Sequence, residues 1–405
     1  ASFAFSRDGK WLAYRSGRGE TGQIHLYDMA KDKAEALTKH STGVGTFAWA
    51  PDSSRIYFTA ADERDEWERR RMDLKFDVRL VDAPRQAEHL WEVALDKNEK
   101  RLTSGDFSVR RFNVSRDGAW IGLSGGTLDR HWGGLDGSQR ADAYLLETAT
   151  AKLERLTDNQ VPESPPQVSP DGRLVMFTST EDFAPFRRSR AYVRPVRGGQ
   201  FKKLAGGSDE ETSSAVSWSR DSRRLYFTNG RGLNTHLFAQ DVDSGTLKQL
   251  TDRSGGLAAA YHADSDLFVL TADSPSRPRD YYVSGVEDLG SEARWRRMSD
   301  ANPQVADMDL GAYEAVRWKS SDGQMVEGIL VKPLGYKEGQ KVPLIVQVHG
   351  GPAGAYINNF SGGYGTYVHV FAAGGYAVFQ PNYRGSTNYG EKFRMEISGD
   401  YFRQG

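Results

Sequence analysis

The stretch FAFSRDGKWLAYRS, residues 3–16, decides the fold that this 405-residue sequence predicts for most of its length. Two short runs of aromatic and aliphatic residues flank the sequence Ser-Arg-Asp-Gly. Asp followed by Gly between such runs favours a β-hairpin, because glycine accepts the positive φ that the tight turn requires. The stretch therefore predicts two antiparallel strands joined by a turn.

The same hairpin pattern recurs along the chain. Further copies begin at Phe47, Phe112, Pro166, Val216 and, in weaker form, Tyr261. A second strand, turn and strand follow each copy and usually close with Leu-Thr or Leu-Ala, as in IHLYDMAKDKAEALT from Ile24. Units of about 40 to 50 residues with four strands each are typical of propeller blades. Six units are legible, so residues 1–302 are predicted to form a β-propeller domain.

Each of the clear copies places an aspartate in its turn. These residues are Asp8, Asp52, Asp117, Asp171 and Asp221. Asp side chains hydrogen-bond the backbone of tight turns, so we expect these carboxylates to stabilise turns rather than to act in catalysis.

The pattern changes after Asn302-Pro303, and residues 303–405 are predicted to begin a second domain. A hairpin turns at Asp322-Gly323, and the apolar run VPLIVQV (342–348) predicts a strand inside a covered sheet. A short helix over 367–373 and a strand at YAVFQPN (376–382) follow. The order strand, helix, strand indicates the start of an α/β domain.

These motifs carry a resemblance to a known family. A DG hairpin, then HGGP (349–352), then PNYRGSTNYGEKF (381–393) resembles the start of the catalytic domain in the prolyl oligopeptidase family of serine peptidases. The sequence is most similar to the acylaminoacyl-peptidase and dipeptidyl-peptidase branch. The resemblance implies an α/β-hydrolase domain after a propeller that usually has seven blades. It also implies hydrolysis of short peptides through an acyl-enzyme, with no cofactor.

The resemblance also assigns roles to residues of this sequence. The backbone N–H of Gly351 would form half of an oxyanion hole, and His349 and Gly350 would shape its loop. Tyr383 and Arg384 would contact substrate, although a structural ion pair is an equally good interpretation of Arg384. Glycines suit such a loop because they allow close backbone approach to the reacting oxygen.

The family places its nucleophilic serine, its aspartate and its histidine further along the chain, and no counterpart is found up to Gly405. We therefore expect a catalytic domain truncated before the nucleophile elbow and no activity from this chain alone. The remaining C-terminal catalytic segment of the same protein would then be its partner. Without that segment, the strand that leads to His349 should expose an apolar edge.

Composition narrows the other possibilities. The formal net charge of −1 creates no field that favours nucleic acid, and no apolar run is long enough to span a membrane. The eight histidines are scattered, so no metal site is predicted.

The run GLSGG (122–126) matches a nucleophile elbow, but Ser124 falls at a strand end of the repeat. An esterase, or a propeller scaffold with an inactive hydrolase half, are the alternatives. The sequence leaves the compartment open.

Overall fold

The computed structural model of the chain divides into two compact units. It describes residues 3–76, 78, 86–127, 141–159, 161–185, 187–204, 216–351, 353–363 and 365–399. One unit comprises Ala1–Pro185 and Ala191–Lys203, and the other comprises Phe186–Arg190 and Leu204–Gly405. The predicted domain boundary between residues 302 and 303 stays a prediction.

The described residues contain six antiparallel sheets of four strands, and strands that follow one another in the chain are neighbours in each sheet. The first two sheets comprise β1 (Phe3–Phe5), β2 (Trp11–Ser16), β3 (Gln23–Asp28), β4 (Lys33–Ala36), β5 (Phe47–Trp49), β6 (Arg55–Ala61), β7 (Glu88–Ala94) and β8 (Glu99–Arg101). The next two comprise β9 (Ser108–Val114), β10 (Trp120–Gly126), β11 (Asp142–Glu147), β12 (Lys152–Arg155), β13 (Gln167–Val168), β14 (Leu174–Thr180), β15 (Ser189–Pro195) and β16 (Lys202–Leu204). The last two comprise β17 (Ser217–Trp218), β18 (Arg224–Arg231), β19 (Asn234–Asp241), β20 (Leu247–Gln249), β21 (Leu257–His262), β22 (Leu267–Ser274), β23 (Arg277–Gly285) and β24 (Arg296–Arg297).

These six sheets correspond to the six units predicted from the sequence. The weak sixth copy is a complete four-stranded sheet. A seventh blade is not found in the part of the chain that the structure describes, and it stays a prediction. Between β6 and β7 lies a short helix, α1 (Glu66–Asp73), which Asp65 caps by accepting a hydrogen bond from Glu68 N at 2.7 Å.

The turn serines and aspartates hold the hairpins together. Ser115 Oγ donates to Asp117 Oδ1 at 2.6 Å and accepts from Trp120 N at 2.9 Å, which spans the turn. The same pair of bonds occurs at Ser6, Ser169 and Ser219. At Asp52 the carboxylate instead accepts from the backbone N–H and hydroxyl of Ser54. The predicted structural role of the turn aspartates is therefore confirmed.

The recurring Leu-Thr pair closes the blades. The hydroxyl of Thr38 accepts from Ile24 N at 2.9 Å, and that of Thr251 accepts from Leu237 N at 2.9 Å. Thr103 repeats the contact with Leu90 N at the same distance. A buried backbone N–H needs an acceptor, so the threonine completes the hydrogen bonding of the third strand of its blade.

The second fold type is a mixed four-stranded sheet with two short helices. Its elements are β25 (Ala312–Lys319), β26 (Met325–Lys332), β27 (Leu344–Val346), α2 (Val368–Ala373), β28 (Ala377–Asn382) and α3 (Glu391–Met395). The strand order is β25-β26-β28-β27, and β27 runs parallel to β28. The predicted hairpin at Asp322-Gly323 and the predicted strand, helix, strand order are confirmed.

Strand β27 lies at the edge of this sheet within the described residues. Helix α2 packs Val368 and Ala372 against Ile329, Val331 and Val378. Along β27 and the segment after it, Leu344, Val346 and Val348 are 55%, 54% and 63% exposed. The run was predicted to be a covered strand, but the described neighbours cover only part of it.

Candidate functional site

Two loops meet at the carboxyl ends of β27 and β28. The HGGP loop begins at His349, shortly after β27, and the NYRGS segment follows β28. Adjacent parallel strands bring the loops at their carboxyl ends together, which is where open α/β sheets place ligand sites. The sheet topology therefore makes neighbours of two motifs that are more than 30 residues apart in sequence.

His349 is held on several sides. Its Nε2 lies 2.9 Å from Ser386 Oγ, and its Nδ1 lies 3.2 Å from the carbonyl oxygen of Gly350. The ring stacks on Tyr383 with centroids 4.5 Å apart, and the Tyr383 hydroxyl donates to His349 O at 2.5 Å. Both ring nitrogens are thus engaged, one by the segment after β28 and one within the loop. This geometry suits a histidine that shapes the loop better than one that takes a proton from a nucleophile.

Gly351 has the backbone conformation that the loop requires. Its φ is +136°, which L side chains rarely adopt, so a glycine is needed here. Gly350 and Gly351 are both exposed. Among the described residues, no acceptor is found for the N–H of Gly351. A donor that will serve an oxyanion must be unengaged before substrate binds, and this N–H meets that condition.

A buried asparagine fixes the far side of the loop. The side chain of Asn382 accepts from Tyr356 N at 2.7 Å and donates to Tyr356 O at 2.9 Å. It also donates to the hydroxyl of Tyr389 at 2.9 Å, and that hydroxyl donates to Glu327 Oε2 at 2.9 Å. Burial raises the pKa of Tyr389, and the Glu327 carboxylate adds to the effect. The tyrosine therefore stays protonated and keeps donating.

Arg384 forms an internal ion pair. Its side chain is 9% exposed, and its guanidinium lies 2.5 Å from Asp322 Oδ1 and 3.7 Å from Glu396 Oε2. A hydrogen bond from Gln324 N lowers the pKa of Asp322, and the charge of Arg384 lowers it further. This geometry favours the structural alternative for Arg384. Contact of Arg384 or Tyr383 with substrate stays a prediction.

Sequence reasoning missed Ser386, Asn382 and Tyr389, although all three lie in the run that carried the resemblance. The signal was a dense set of polar residues directly after a predicted buried strand, where polar side chains must find partners.

A cavity of about 510 Å³ lies beside the hydrogen bonds of Tyr389 and Glu327. It is lined by Arg231, Gly232, Leu233, Asn234, Ala315, Arg317, Met325, Val326, Glu327, Asn358 and Tyr389.

The motif match at Ser124 has no catalytic geometry. Ser124 is buried within β10, and its hydroxyl donates to Glu163 O at 2.9 Å. The strand continues past Ser124 to Gly126, so there is no strand-to-helix turn at this serine.

No cluster of three or more metal-binding side chains occurs in the described ranges. Over the same ranges, no helix has the length and apolar character needed to cross a membrane.

The six four-stranded sheets followed by a mixed α/β sheet define a propeller joined to the start of an α/β-hydrolase domain. Solved structures share this fold. An acylaminoacyl peptidase from Pyrococcus horikoshii superposes with a TM-score of 0.72 at 20% identity, over 98% of this chain and 60% of that one. A prolyl endopeptidase gives a TM-score of 0.69 at 16% identity, over 98% and 55%.

Sequence comparison supports the same resemblance. Residues 363–404 match the prolyl oligopeptidase family, which confirms the resemblance predicted from the motifs. The uncharacterized peptidase YuxL of Bacillus subtilis is 25% identical over 98% of this chain and 63% of its own length. The human acylamino-acid-releasing enzyme is 26% identical over 66% and 38%, and dipeptidyl-peptidase 5 of Porphyromonas gingivalis is 21% identical over 98% and 61%. The chain thus spans less than two thirds of each of these relatives.

Proposed function

We propose that this chain is the propeller and the first part of the hydrolase domain of a serine peptidase that acts on short peptides. The observation that carries the proposal is the N–H of Gly351, for which no acceptor is found among the described residues, in a loop held by His349, Tyr383 and Ser386. Hydrolysis of an amide passes through a tetrahedral oxyanion, and a preorganised backbone donor stabilises it. The peptidases among its relatives support the same assignment.

The proposed mechanism divides the work between this chain and a C-terminal catalytic segment of the same protein. A serine of that segment attacks the scissile carbonyl, and a histidine accepts the serine proton and passes it to the leaving amine. Gly351 N–H donates to the oxyanion, and in this fold the second donor is the backbone N–H of the residue after the nucleophile. Water then hydrolyses the acyl-enzyme, so no cofactor is required.

The test uses the protein extended to the length of its relatives. A fluorophosphonate probe should label one serine, and peptide anilides with acylated or free amino termini should be cleaved. The 405-residue chain is the comparison and should take no label. Label on Ser124, or no label at all, would contradict the proposal and favour a binding scaffold. Cleavage of esters without cleavage of amides would favour an esterase.

Gly351→Ala tests the assigned donor. The substitution strains a backbone that needs φ near +136°, so the N–H should lose its direction and kcat should fall about 10²- to 10³-fold. Gly363→Ala is the matched control, because its added Cβ would meet open space and its φ is ordinary. Equal kcat values for the two variants would contradict the assignment of Gly351 to the oxyanion hole.

A further inference from the structure

The β18–β19 hairpin of the fifth blade reaches the loops of the candidate site. Its two-residue turn is Gly232-Leu233, and Gly232 has a φ of +57°, as a tight hairpin requires. Leu233 is 4% exposed and packs with Ile329, Val331 and other residues of the hydrolase-type sheet. The tip of this blade is therefore part of the core beneath the candidate site.

Three consecutive residues connect the hairpin to the HGGP loop. Ser386 bonds His349, Thr387 N donates to Gly354 O at 2.9 Å, and Asn388 bonds Gly232. The last contact is double, because Gly232 N donates to Asn388 O at 2.9 Å and Asn388 Nδ2 donates to Gly232 O at 3.1 Å. The segment 386–388 thus contacts the loop with two residues and the hairpin with the third.

A second connection holds the other end of the loop. Asn358 N donates to Leu233 O at 2.7 Å, and Asn358 Nδ2 donates to Asn234 Oδ1 at 3.1 Å. The segment from His349 to Asn358 is therefore attached to the hairpin directly at Asn358 and, through residues 386–388, at its His349 end. A loop held at two points has few conformations left, so displacement of the hairpin should change its backbone.

A side chain at Gly230 would collide with Asn388 at the hairpin contact. A Cβ built on Gly230 would lie 1.9 Å from Asn388 Oδ1 and 2.2 Å from Asn388 Cγ. The φ of Gly230 is ordinary, so an added side chain would displace Asn388 rather than strain the backbone. The hairpin and the segment 386–388 thus fit at van der Waals distance.

We infer that the β18–β19 hairpin is a positioning element for the candidate oxyanion loop. Gly230, Leu233 and Asn388 act through other residues to hold the direction of the Gly351 N–H. The effect on catalysis rests on the proposed function, whereas the mechanical connection does not. A connection of this kind must be demonstrated by coupling and not by proximity.

The first experiment needs no activity. Hydrogen exchange of the Tyr356 and Thr387 amides in the 405-residue chain reports on the loop, and amides of strand β2, in the other compact unit, serve as reference. Gly230→Ala should speed exchange at both loop amides at least tenfold and leave β2 unchanged. Gly290→Ala is the matched control, because it is exposed, has an ordinary φ and has no atom closer than 4.0 Å to an added Cβ.

A double variant separates this effect from simple misfolding. Asn388→Gly removes the clashing side chain and suits the φ of +76° at that position. In Gly230→Ala with Asn388→Gly, exchange at Tyr356 and Thr387 should return to the rate of Asn388→Gly alone. Unchanged loop exchange in Gly230→Ala, or a double variant that exchanges faster than Asn388→Gly alone, would overturn the inference.

The extended protein supplies the catalytic measurement. Gly230→Ala should lower kcat about tenfold with little change in KM, because the donor matters most in the transition state. Loss of substrate affinity with unchanged kcat would contradict a positioning role. If the extended protein proves inactive, the proposed function fails while the exchange result still decides the connection.

Discussion

At the scale of single residues, Tyr383 supports the HGGP loop with both parts of its side chain. Its ring stacks on His349, and its hydroxyl donates to the His349 carbonyl. Tyr383→Phe keeps the stacking and removes the hydrogen bond, so we expect it to lower the free energy of unfolding by about 1 kcal/mol. Tyr376→Phe, at a tyrosine that is 41% exposed, is the control. Chemical denaturation measures both, and equal stabilities would argue against the contribution.

Glu163 gives the molecule a pH-dependent stability. It is 4% exposed, and burial raises its pKa to about 7 from an ordinary 4.5, although Thr157, Asn159 and the N–H of Ala143 donate to it. The folded state keeps a proton that the unfolded chain has released. The free energy of unfolding should therefore fall by roughly 3 kcal/mol as pH rises from about 4.5 to about 7.

Glu163→Gln should remove this dependence, since an amide does not titrate. Thermal unfolding between pH 4.5 and 7.5 provides the comparison, and the slope of Tm against pH is the quantity of interest. Glu338→Gln, at a side chain that is 92% exposed, should keep the slope of the parent protein. A Glu163→Gln variant with that same slope would show that the carboxyl titrates normally.

At the scale of single elements, the blade-closing threonines should contribute measurably to stability. Thr251→Val keeps the shape of the side chain but leaves the buried N–H of Leu237 without its acceptor. We expect a loss of about 1 to 3 kcal/mol in the free energy of unfolding. Thr271→Val on β22 is the control, because its hydroxyl bonds no described residue. Equal losses in denaturant titrations would mean that the closing contact has no special role.

The elements that the sequence predicted correctly depend on near neighbours. Ser115, Asp117 and Gly118 lie within four residues, so the turn follows from local chemistry. The contacts of the candidate site are different in kind. His349 and Ser386 are 37 residues apart, and Gly232 and Asn388 are 156 apart. Such contacts depend on strand order and on packing between sheets, which periodicity in one sequence does not encode.

At the scale of the whole molecule, the edge of β27 that no described strand covers should make the 405-residue chain associate. Leu344, Val346 and Val348 expose an apolar edge next to backbone groups that can pair with another strand. Val346→Lys should reduce concentration-dependent association in sedimentation experiments. Met308→Lys, at a residue that is 55% exposed and outside any strand, should leave association unchanged. The same association in both variants would place the contact elsewhere.

Ser386, Thr387 and Asn388 each make a different contact, and this limits how the sequence can vary among relatives. A substitution in the run changes one contact, whereas a deletion or insertion moves all three residues out of register at once. The distance from Tyr383 to Asn388 should therefore be constant among relatives even where the amino acids differ. Length variation should instead collect in exposed turns such as the one at Gly339. The number of residues between Tyr383 and Asn388 should then be conserved more strictly than their identities.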